Sequence, residues 1–326
     1  MNKKNINIGL IGCGHLGSIH SRLINEICKT NGSVSFAGVY DIDMNKTNQA
    51  AENFNVKAFD SLDSLLSAVD TLVVVTSTPT HFDIAKKALS KQINLFIEKP
   101  VTSSLEEAVE LIRISKYAKV KIQVGHVERF NSALTSLDGY NLDPKFIESH
   151  RLSQFNPRGT DVSVIQDLMI HDLDIILQLV KSPLEKIDAN GVAVISNNID
   201  IANARLTFNN GCVANVTSSR VSLKKMRKMR IFQQNAYISI DFLQNKSEIF
   251  KLEDINTKTK GLTYPVSDSK KIIYEEPATE NNANPIKNEL ETFIDSILND
   301  KHVKVSLDEG KQAVEVADKI MRIIEQ

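Results

Sequence analysis

The sequence predicts an α/β protein with an N-terminal, doubly wound parallel Rossmann sheet and a C-terminal α+β domain with an open, mostly antiparallel sheet. Up to residue 125, short apolar runs alternate with segments of helical periodicity, which is typical of a parallel sheet covered by helices. Beyond residue 125, one strongly apolar helix precedes several strand patterns separated by polar turns. We therefore predict two domains, at 1–125 and 126–326.

The elements of the first domain follow from the period of their apolar residues. Runs rich in Val, Ile and Leu predict buried strands, and apolar residues at helical spacing predict the helices between them. The predicted strands are 7–11, 34–40, 71–75, 94–97 and 121–124, and the predicted helices are 16–27, 44–54, 81–89 and 104–118.

The second domain is predicted to begin with a strand at 144–152 and an apolar helix at 164–180. Several antiparallel strands follow within 187–250, with Asn209 to Gly211 at one turn. A polar surface excursion at 253–285 carries one strand near 272–274, and amphipathic helices at 286–298 and 307–324 end the chain.

The composition excludes several classes of protein. The chain has 326 residues, is 42% hydrophobic and has a formal net charge of -1, so it gives no general attraction to nucleic acid. It contains no apolar run of ~18 residues and no signal-peptide core. Cys13, Cys28 and Cys212 form no disulfide framework or Cys-x-x-Cys pair. We expect a cytoplasmic protein with no membrane or nucleic-acid partner.

A glycine-rich turn follows the first predicted strand. Gly12, Gly14 and Gly17, with His15 and Leu16 between them, give the pattern GxGxxG at the start of a helix. Glycine allows the tight turn and the close approach of a pyrophosphate, and the helix N-terminus offers N–H groups to phosphates. The pattern therefore predicts dinucleotide binding by these residues, and a purely structural glycine turn is the alternative.

The second predicted strand ends in Asp41, where the adenosine ribose of a bound dinucleotide would lie. A carboxylate accepts hydrogen bonds from a 2'-hydroxyl and repels a 2'-phosphate, so NAD is favoured over NADP as the cofactor. The alternative is that Asp41 or Asp43 caps the next helix.

Glu98, Lys99 and Pro100 follow the strand predicted at 94–97. Ligands of a doubly wound sheet bind at the carboxyl ends of its strands, so Lys99 is expected to face the cofactor crevice. Its ammonium could polarise a substrate oxygen and stabilise a developing alkoxide. The alternative is a surface lysine in a strand-to-helix turn.

The helix predicted at 164–180 carries a polar stripe. Asp167, His171, Asp174 and Gln178 are spaced by four, three and four residues on an otherwise apolar helix. A carboxylate one turn from an imidazole orients the ring, which suits a base that removes a hydroxyl proton. The alternatives are a solvated edge of an amphipathic helix and, with less support, a metal site; we expect no metal.

Taken together, these motifs resemble the glucose-fructose oxidoreductase / inositol dehydrogenase / MocA (Gfo/Idh/MocA) superfamily over essentially the whole chain. The resemblance is carried by Gly12 to Gly17, by Glu98-Lys99-Pro100, by Arg129-Phe130-Asn131, and by Asp167 with His171. It implies that His171 is the acid/base, that Lys99 binds and polarises the reacting oxygen, and that Asp167 orients both.

The same resemblance implies further cofactor contacts and an oligomer. The cofactor contacts would come from the loop after the strand predicted at 71–75, with Thr76, Thr78 and His81, and from Glu98. The open sheet of the second domain would pair with a second copy, which gives a homodimer or homotetramer.

Segments 125–131, 155–161 and 167–172 are similar to the UDP-N-acetylglucosamine 3-dehydrogenase branch, although Ser132 stands where such sequences often have proline. This similarity implies a nucleotide-sugar substrate, whose diphosphate needs cations. Arg158 is the favoured candidate, ahead of Arg151 and of the basic run 224–230, which we expect to form a solvated strand and turn.

Two further residues are candidate substrate contacts. Asp174 lies on the polar stripe, and His126 follows a strand tip near the expected nicotinamide, where a structural histidine is an equal alternative. The sequence thus predicts an NAD-dependent dehydrogenase acting on a secondary hydroxyl of a sugar, with a nucleotide sugar as the favoured substrate. The alternatives are a dehydrogenase of a free sugar or cyclitol and a catalytically silent NAD(H)-binding regulatory protein.

Overall fold

The structure is a computed structural model that describes residues 5–156, 162–259, 261–279 and 283–325. The chain forms two compact units. Unit 1 comprises residues 1–127 and 284–314, and unit 2 comprises residues 128–283 and 315–326. The predicted boundary near residue 125 is present, but assigning all of 126–326 to the second domain was wrong, because residues 284–314 return to unit 1.

Unit 1 begins as an alternation of strands and helices. Its elements are β1 Ile6–Ile11, α1 His15–Thr30, β2 Val34–Tyr40, α2 Met44–Phe54, β3 Lys57–Ala58, α3 Leu62–Leu66, β4 Thr71–Val74, α4 His81–Ser90, β5 Asn94–Glu98, α5 Leu105–Ser115 and β6 Ile122–Gly125. The strands form one parallel sheet of six strands in the order β3-β2-β1-β4-β5-β6. The predicted parallel sheet is confirmed, and the short β3 and α3 were not predicted.

Unit 2 contains the larger sheet. Its elements are α6 Ser132–Thr135, β7 Phe146–Leu152, a π-helical turn Ile165–Met169, α7 Ile170–Val180, β8 Leu184–Val192, β9 Ile201–Phe208, β10 Val213–Ser219, β11 Met226–Gln233, β12 Ala236–Asp241, β13 Lys246–Asp254, β14 Leu262–Pro265 and β15 Lys270–Glu275. The nine strands are ordered β14-β15-β13-β12-β11-β7-β10-β9-β8, and only β7 and β10 pair in parallel. The predicted open, mostly antiparallel sheet is confirmed. The single strand expected in the surface excursion proves to be a hairpin of β14 and β15.

Two helices end the chain, α8 Pro285–Leu298 and α9 Leu307–Ile324. α8 packs against α1, and it supplies Leu290, Phe293, Ile294 and Ile297 to the hydrophobic core of unit 1. The ring of Phe293 lies 5.9 Å from that of Phe96 on β5. The first core is therefore built from segments far apart in the sequence.

The core of unit 2 lies between one face of its sheet and the helical segment 165–180. Alternation along the strands sets this face: Ile147, Ile231 and Ile238 on the neighbouring strands β7, β11 and β12 are buried against the core. Over the described ranges, no helix combines the length and apolar character needed to cross a bilayer.

Candidate active site

The glycine turn joins β1 to α1 with a geometry that needs two of its glycines. Gly12 has φ +98°, and a Cβ there would lie 2.5 Å from the carbonyl oxygen of Val75. A Cβ on Gly17 would lie 1.8 Å from the carbonyl oxygen of Gly12. A Cβ on Gly14 would meet no atom within 4 Å. Gly12 and Gly17 are thus required by the fold, while the space beside Gly14 is open.

The open space lies at the N-terminus of a long helix. Gly14 is the N-cap of α1 and supplies no side-chain cap, so the first N–H groups of the helix are available to a ligand. His15 and Leu16 are exposed in this first turn. The residues present fit the pyrophosphate of a dinucleotide, because an anion is favoured at a helix N-terminus that a backbone can approach closely.

Asp41 faces the glycine turn rather than capping the next helix. Its Oδ2 accepts a 2.7 Å hydrogen bond from the backbone N–H of Cys13, and its Oδ1 accepts one of 2.9 Å from the N–H of Asp43. Asp43 is the N-cap of α2 and accepts from the N–H of Asn45. Of the two residues, Asp43 therefore caps α2, and Asp41 contacts the glycine turn instead. Burial, reinforced by Asp41, raises the pKa of the Cys13 thiol to about 12.

The loop after β4 is tied to the Glu-Lys-Pro turn through His81. The Nδ1 of His81 lies 2.9 Å from the carbonyl oxygen of Pro100, and its Nε2 lies 3.1 Å from that of Thr76. Burial lowers the pKa of His81, although its contacts with the carbonyl oxygens of Thr76 and Pro100 act in the opposite direction. With 1% exposure and both ring nitrogens engaged, His81 is placed to position these loops rather than to contact a cofactor. Thr76 and Thr78 are half-buried in the loop itself.

Glu98 and Lys99 lie at the carboxyl end of β5, as the sequence predicts. The Oε1 of Glu98 is 2.8 Å from Nε2 of His20, a buried residue of α1, and Oε2 accepts a 3.2 Å hydrogen bond from the N–H of Lys99. Lys99 itself is half-buried, and its peptide bond to Pro100 is cis. Glu98 thus joins the glycine-turn helix to the lysine, and His20 is a site residue that the sequence analysis missed.

His126 follows β6 and is 1% exposed. Its backbone N–H donates to the carbonyl of Val124. This burial favours the structural alternative for His126 over a substrate contact.

Asp167 and His171 lie where the helix predicted at 164–180 is irregular. Asp167 lies inside the π-helical turn, in which the N–H of Ile170 donates to the carbonyl of Ile165, five residues earlier. Both Asp167 and His171 are half-buried, whereas Ile165, Ile170 and most of α7 are buried. Single π-helical turns inside α-helices occur frequently at functional sites. The partly exposed side of this helix is therefore the candidate catalytic surface of unit 2.

The other two acidic residues of the helix form ion pairs with buried arginines. Asp174 is 2% exposed, and its two oxygens accept hydrogen bonds of 2.6 and 2.8 Å from Arg129. Asp172 accepts a 2.6 Å hydrogen bond from Nε of Arg151, which also donates to Glu128. Burial lowers the pKa of Arg151, but the two carboxylates outweigh this and raise it above its ordinary value. Asp174 and Arg151 therefore each belong to a buried structural ion pair. We no longer consider either of them a candidate substrate contact.

A polar pocket of about 370 Å³ lies within unit 2 beside the π-helical turn. Three cationic side chains and the carboxylate of Asp167 share its lining. The lining residues are Leu152, Ser153, Gln154, Asn156, Asp167, Leu168, Arg220, Lys225 and Arg227. Arg158, the cation favoured from the sequence, lies outside the described residues, so the structure neither supports nor opposes that prediction.

The candidate residues divide between the two units. The glycine turn, Asp41, Glu98 and Lys99 belong to unit 1, and Asp167 and His171 belong to unit 2. Within the described part of the chain, no group of three or more His, Cys, Asp or Glu side chains could hold a metal ion.

Comparison with known proteins identifies the class. Residues 6–126 match the model of an oxidoreductase family with an NAD-binding Rossmann fold, and residues 123–239 match that of the GFO/IDH/MocA C-terminal domain. With the glycine turn and parallel sheet of unit 1, these matches define an oxidoreductase with a domain for an NAD-type nucleotide cofactor. The chain belongs to the Gfo/Idh/MocA family, which confirms the resemblance seen in its motifs.

Several relatives are dehydrogenases. UDP-N-acetylglucosamine 3-dehydrogenase of Acidithiobacillus ferrooxidans is 39% identical over 244 residues, which cover 74% of this chain and 76% of that protein. The solved structure of that enzyme, GnnA, matches with a TM-score of 0.88 and 32% identity over 98% of each chain. Myo-inositol 2-dehydrogenase of Thermotoga maritima is 23% identical over 94% of this chain and 92% of its own. The chain is therefore an oxidoreductase acting on CH–OH groups of a small-molecule substrate.

Proposed function

We propose that this protein is an NAD-dependent dehydrogenase that oxidises a secondary hydroxyl of a nucleotide sugar. The observation that carries the proposal is the division of the titratable residues along one helix. Buried arginines engage Asp172 and Asp174, whereas Asp167 and His171 lie on the partly exposed side at a π-helical turn. An acid and an imidazole one turn apart on the partly exposed side of an otherwise buried helix are typical of a functional site.

In the proposed reaction, His171 removes the hydroxyl proton as the general base. Lys99 donates a hydrogen bond to the same oxygen and stabilises the negative charge that develops on it. Asp167 orients the imidazole and stabilises its protonated form. A dinucleotide held by the glycine turn and Asp41 would supply a nicotinamide that can accept the hydride, which would convert the alcohol to a ketone. The proposal requires Lys99 of unit 1 and the pair in unit 2 to act on one substrate.

The preference for NAD over NADP rests on Asp41. Its carboxylate is fixed by the N–H groups of Cys13 and Asp43 at the end of β2, and each oxygen keeps a further lone pair for a ribose hydroxyl. A 2'-phosphate at the same place would meet negative charge.

Similarity supports the nucleotide-sugar substrate. The relative that is 39% identical over most of both chains is named for UDP-N-acetylglucosamine, and the inositol dehydrogenase is more distant at 23%. Oxidation of a free sugar or cyclitol remains the second candidate.

We also infer that two copies pair through the face of the unit 2 sheet that carries a row of aromatic rings. Neighbouring ring centroids along this row are 5.0 to 6.0 Å apart. The row consists of Phe146, Phe232, Tyr237, Phe250 and Tyr274. Phe232, the second ring of the row, is 37% exposed and the other four rings are half-buried, and aromatic side chains are enriched at interfaces. The molar mass from light scattering tests this: Phe232→Asp is expected to give monomers.

The function is tested by following NADH formation at saturating NAD⁺ with UDP-N-acetylglucosamine, N-acetylglucosamine and myo-inositol. Loss of the base in His171→Gln is expected to lower kcat by roughly 10²- to 10⁴-fold. Gln178→Ala, on the same helix two turns away, serves as the matched control. Tight NAD(H) binding with no turnover of any substrate would contradict the proposal and favour a regulatory protein.

A further inference from the structure

The basic run 224–230 is divided between the two faces of the unit 2 sheet. Met229 and Ile231 on β11 are buried in the core, so Arg227 points to the same helix-covered side as these two residues. Lys225, directly before the strand, continues this alternation. Both side chains line the pocket beside the π-helical turn.

The remaining cations of the strand serve the opposite face. Lys228 lies 3.1 Å from a carboxylate oxygen of Asp241, and Arg230 lies 3.6 Å from one of Glu148. Each pair joins neighbouring strands, so these charges are neutralised within the sheet. The run that the sequence presents as one solvated feature therefore holds two sets of cations with different surroundings.

The two pocket cations retain capacity for an anionic ligand. Arg227 donates to Glu128 over 3.3 Å, and the guanidinium has five N–H donors in all. Glu128 is bound more closely by the buried Arg151, at 2.7 Å, so it neutralises Arg227 only in part. Among the described residues, Lys225 has no ion-pair partner. Both are partly exposed on the pocket side.

Hydrogen bonds fix the backbone around the pocket. The backbone N–H of Ser153 donates to the carbonyl of Ser219 over 2.8 Å, and the backbone N–H of Ser222 donates to the carbonyl of Ser153 over 3.0 Å. Arg220, which is 4% exposed, donates to the carbonyl of Val162 over 2.7 Å. These bonds fix the backbone of the strand ends beside the pocket cations. A ligand would therefore not have to order this backbone when it binds.

We propose that this pocket binds the phosphoryl oxygens of the activated sugar, with Lys225 and Arg227 as the cations that contact them. The inference rests on the proposed function, since it assigns the charged part of the same substrate. Arg220 in the lining is paired with the buried Asp200, which leaves Lys225 and Arg227 as the cations open to a ligand, and the volume lies within the usual range of small-molecule sites. Because Asp167 shares the lining, phosphate bound there would hold the sugar beside the proposed acid/base pair. A neutral sugar or cyclitol would leave these cations without a function.

The test compares Lys225→Gln/Arg227→Gln with Lys224→Gln and the unchanged protein. Lys224 is an exposed neighbour in the same run and does not line the pocket, so Lys224→Gln controls for the loss of a positive charge from the run outside the pocket. UDP and N-acetylglucosamine 1-phosphate binding is measured by calorimetry with NAD⁺ saturating, so that the dinucleotide site is filled. The KM and kcat for UDP-N-acetylglucosamine are measured in parallel, and thermal unfolding shows that each variant is folded.

Losing two charge-assisted contacts is expected to weaken UDP binding and raise KM roughly 10- to 100-fold, with kcat little changed. A larger loss for UDP than for the sugar 1-phosphate identifies a diphosphate as the ligand, and equal losses identify a single phosphoryl group. UDP affinity in the double variant equal to that of Lys224→Gln, or no UDP binding to the unchanged protein, would overturn the inference.

The binding measurement separates this inference from the proposed function. If no substrate yields NADH but UDP binding depends on Lys225 and Arg227, the phosphate subsite stands and the reaction is wrong. If UDP-N-acetylglucosamine is oxidised with an unchanged KM in the double variant, the dehydrogenase stands and the subsite is wrong.

Discussion

Replacing two glycines of the same turn by alanine is expected to have opposite effects on stability and cofactor binding. Gly14 and Gly17 both lie in the GxGxxG motif, three residues apart. A Cβ on Gly14 would enter open space, whereas a Cβ on Gly17 would lie 1.8 Å from the carbonyl oxygen of Gly12. Sequence comparison alone would treat the two substitutions as equivalent.

The sizes of the two effects follow from these distances. For Gly17→Ala, the gap to a backbone oxygen must grow from 1.8 Å to at least 3.0 Å, so β1 and α1 must separate. Overpacking of this kind costs about 3 kcal/mol, which corresponds to a fall in Tm of roughly 6–12 °C. Gly14 has φ -73°, which alanine adopts easily, so Gly14→Ala should change the free energy of unfolding by less than ~1 kcal/mol.

Cofactor binding is expected to show the reverse order for the folded proteins. The new methyl group of Gly14→Ala would occupy the space that the pyrophosphate needs. The loss of charge-assisted hydrogen bonds from the helix N-terminus should raise the Kd for NADH roughly 10- to 100-fold. Calorimetric titration with NADH and thermal unfolding without it provide both measurements. Wild-type NADH affinity in Gly14→Ala would refute the placement of the pyrophosphate, and an unchanged Tm in Gly17→Ala would refute the close contact.

Three further substitutions or modifications test the surroundings of the site. Arg129→Met should cost about 3–5 kcal/mol of stability in urea unfolding, because it removes the guanidinium that binds both oxygens of the buried Asp174 carboxylate; Arg129→Met/Asp174→Leu should recover most of this, and an additive loss would contradict it. Asp200 is buried, which raises its pKa, but hydrogen bonds from Ser196 and three backbone N–H groups outweigh this and hold the pKa below its ordinary value. Its contribution is therefore present above pH ~4 and lost as the pH falls through the lowered pKa, so Asp200→Asn should destabilise the protein by roughly 1–3 kcal/mol at pH 7 and progressively less in acid. With a pKa of about 12, Cys13 should resist iodoacetamide at pH 8 in mass spectrometry of the folded protein; rapid labelling there would show that its thiol is not buried as described.

Most of unit 1 was predictable because its signals are local. A strand of consecutive Val, Ile and Leu residues, a helix with one apolar face and the glycine turn are each specified within about fifteen residues. The predicted strands accordingly agree with β1, β2 and β4 to β6 within a residue or two. Two of the glycines are also explained by the structure, because a side chain on Gly12 or Gly17 would collide with a backbone carbonyl oxygen.

The site of unit 2 was harder to predict, because its residues are sorted by partners distant in the chain. Asp174 and Asp167 look alike on a helical wheel, and only Arg129, 45 residues before Asp174, separates the structural carboxylate from the accessible one. The π-helical turn has no marker among its apolar residues. Strand alternation from Met229 could have separated the inward Lys225 and Arg227 from the outward cations of the same run.

His20 illustrates a signal that was present but was not used. It lies on the buried face of α1, one turn after Gly17, and a buried imidazole needs a polar partner. In the structure that partner is Glu98, whose Oε1 lies 2.8 Å from Nε2 of His20.

The return of α8 to the first unit has a consequence for biosynthesis. Phe293 and Ile297 complete a core whose strands are made in the first hundred residues. A nascent chain therefore carries an unfinished apolar surface on α1 until α8 has left the ribosome. The second unit, although encoded later, can close most of its own sheet sooner. A gene truncated after residue 127 would for the same reason yield an aggregation-prone fragment rather than a stand-alone nucleotide-binding module.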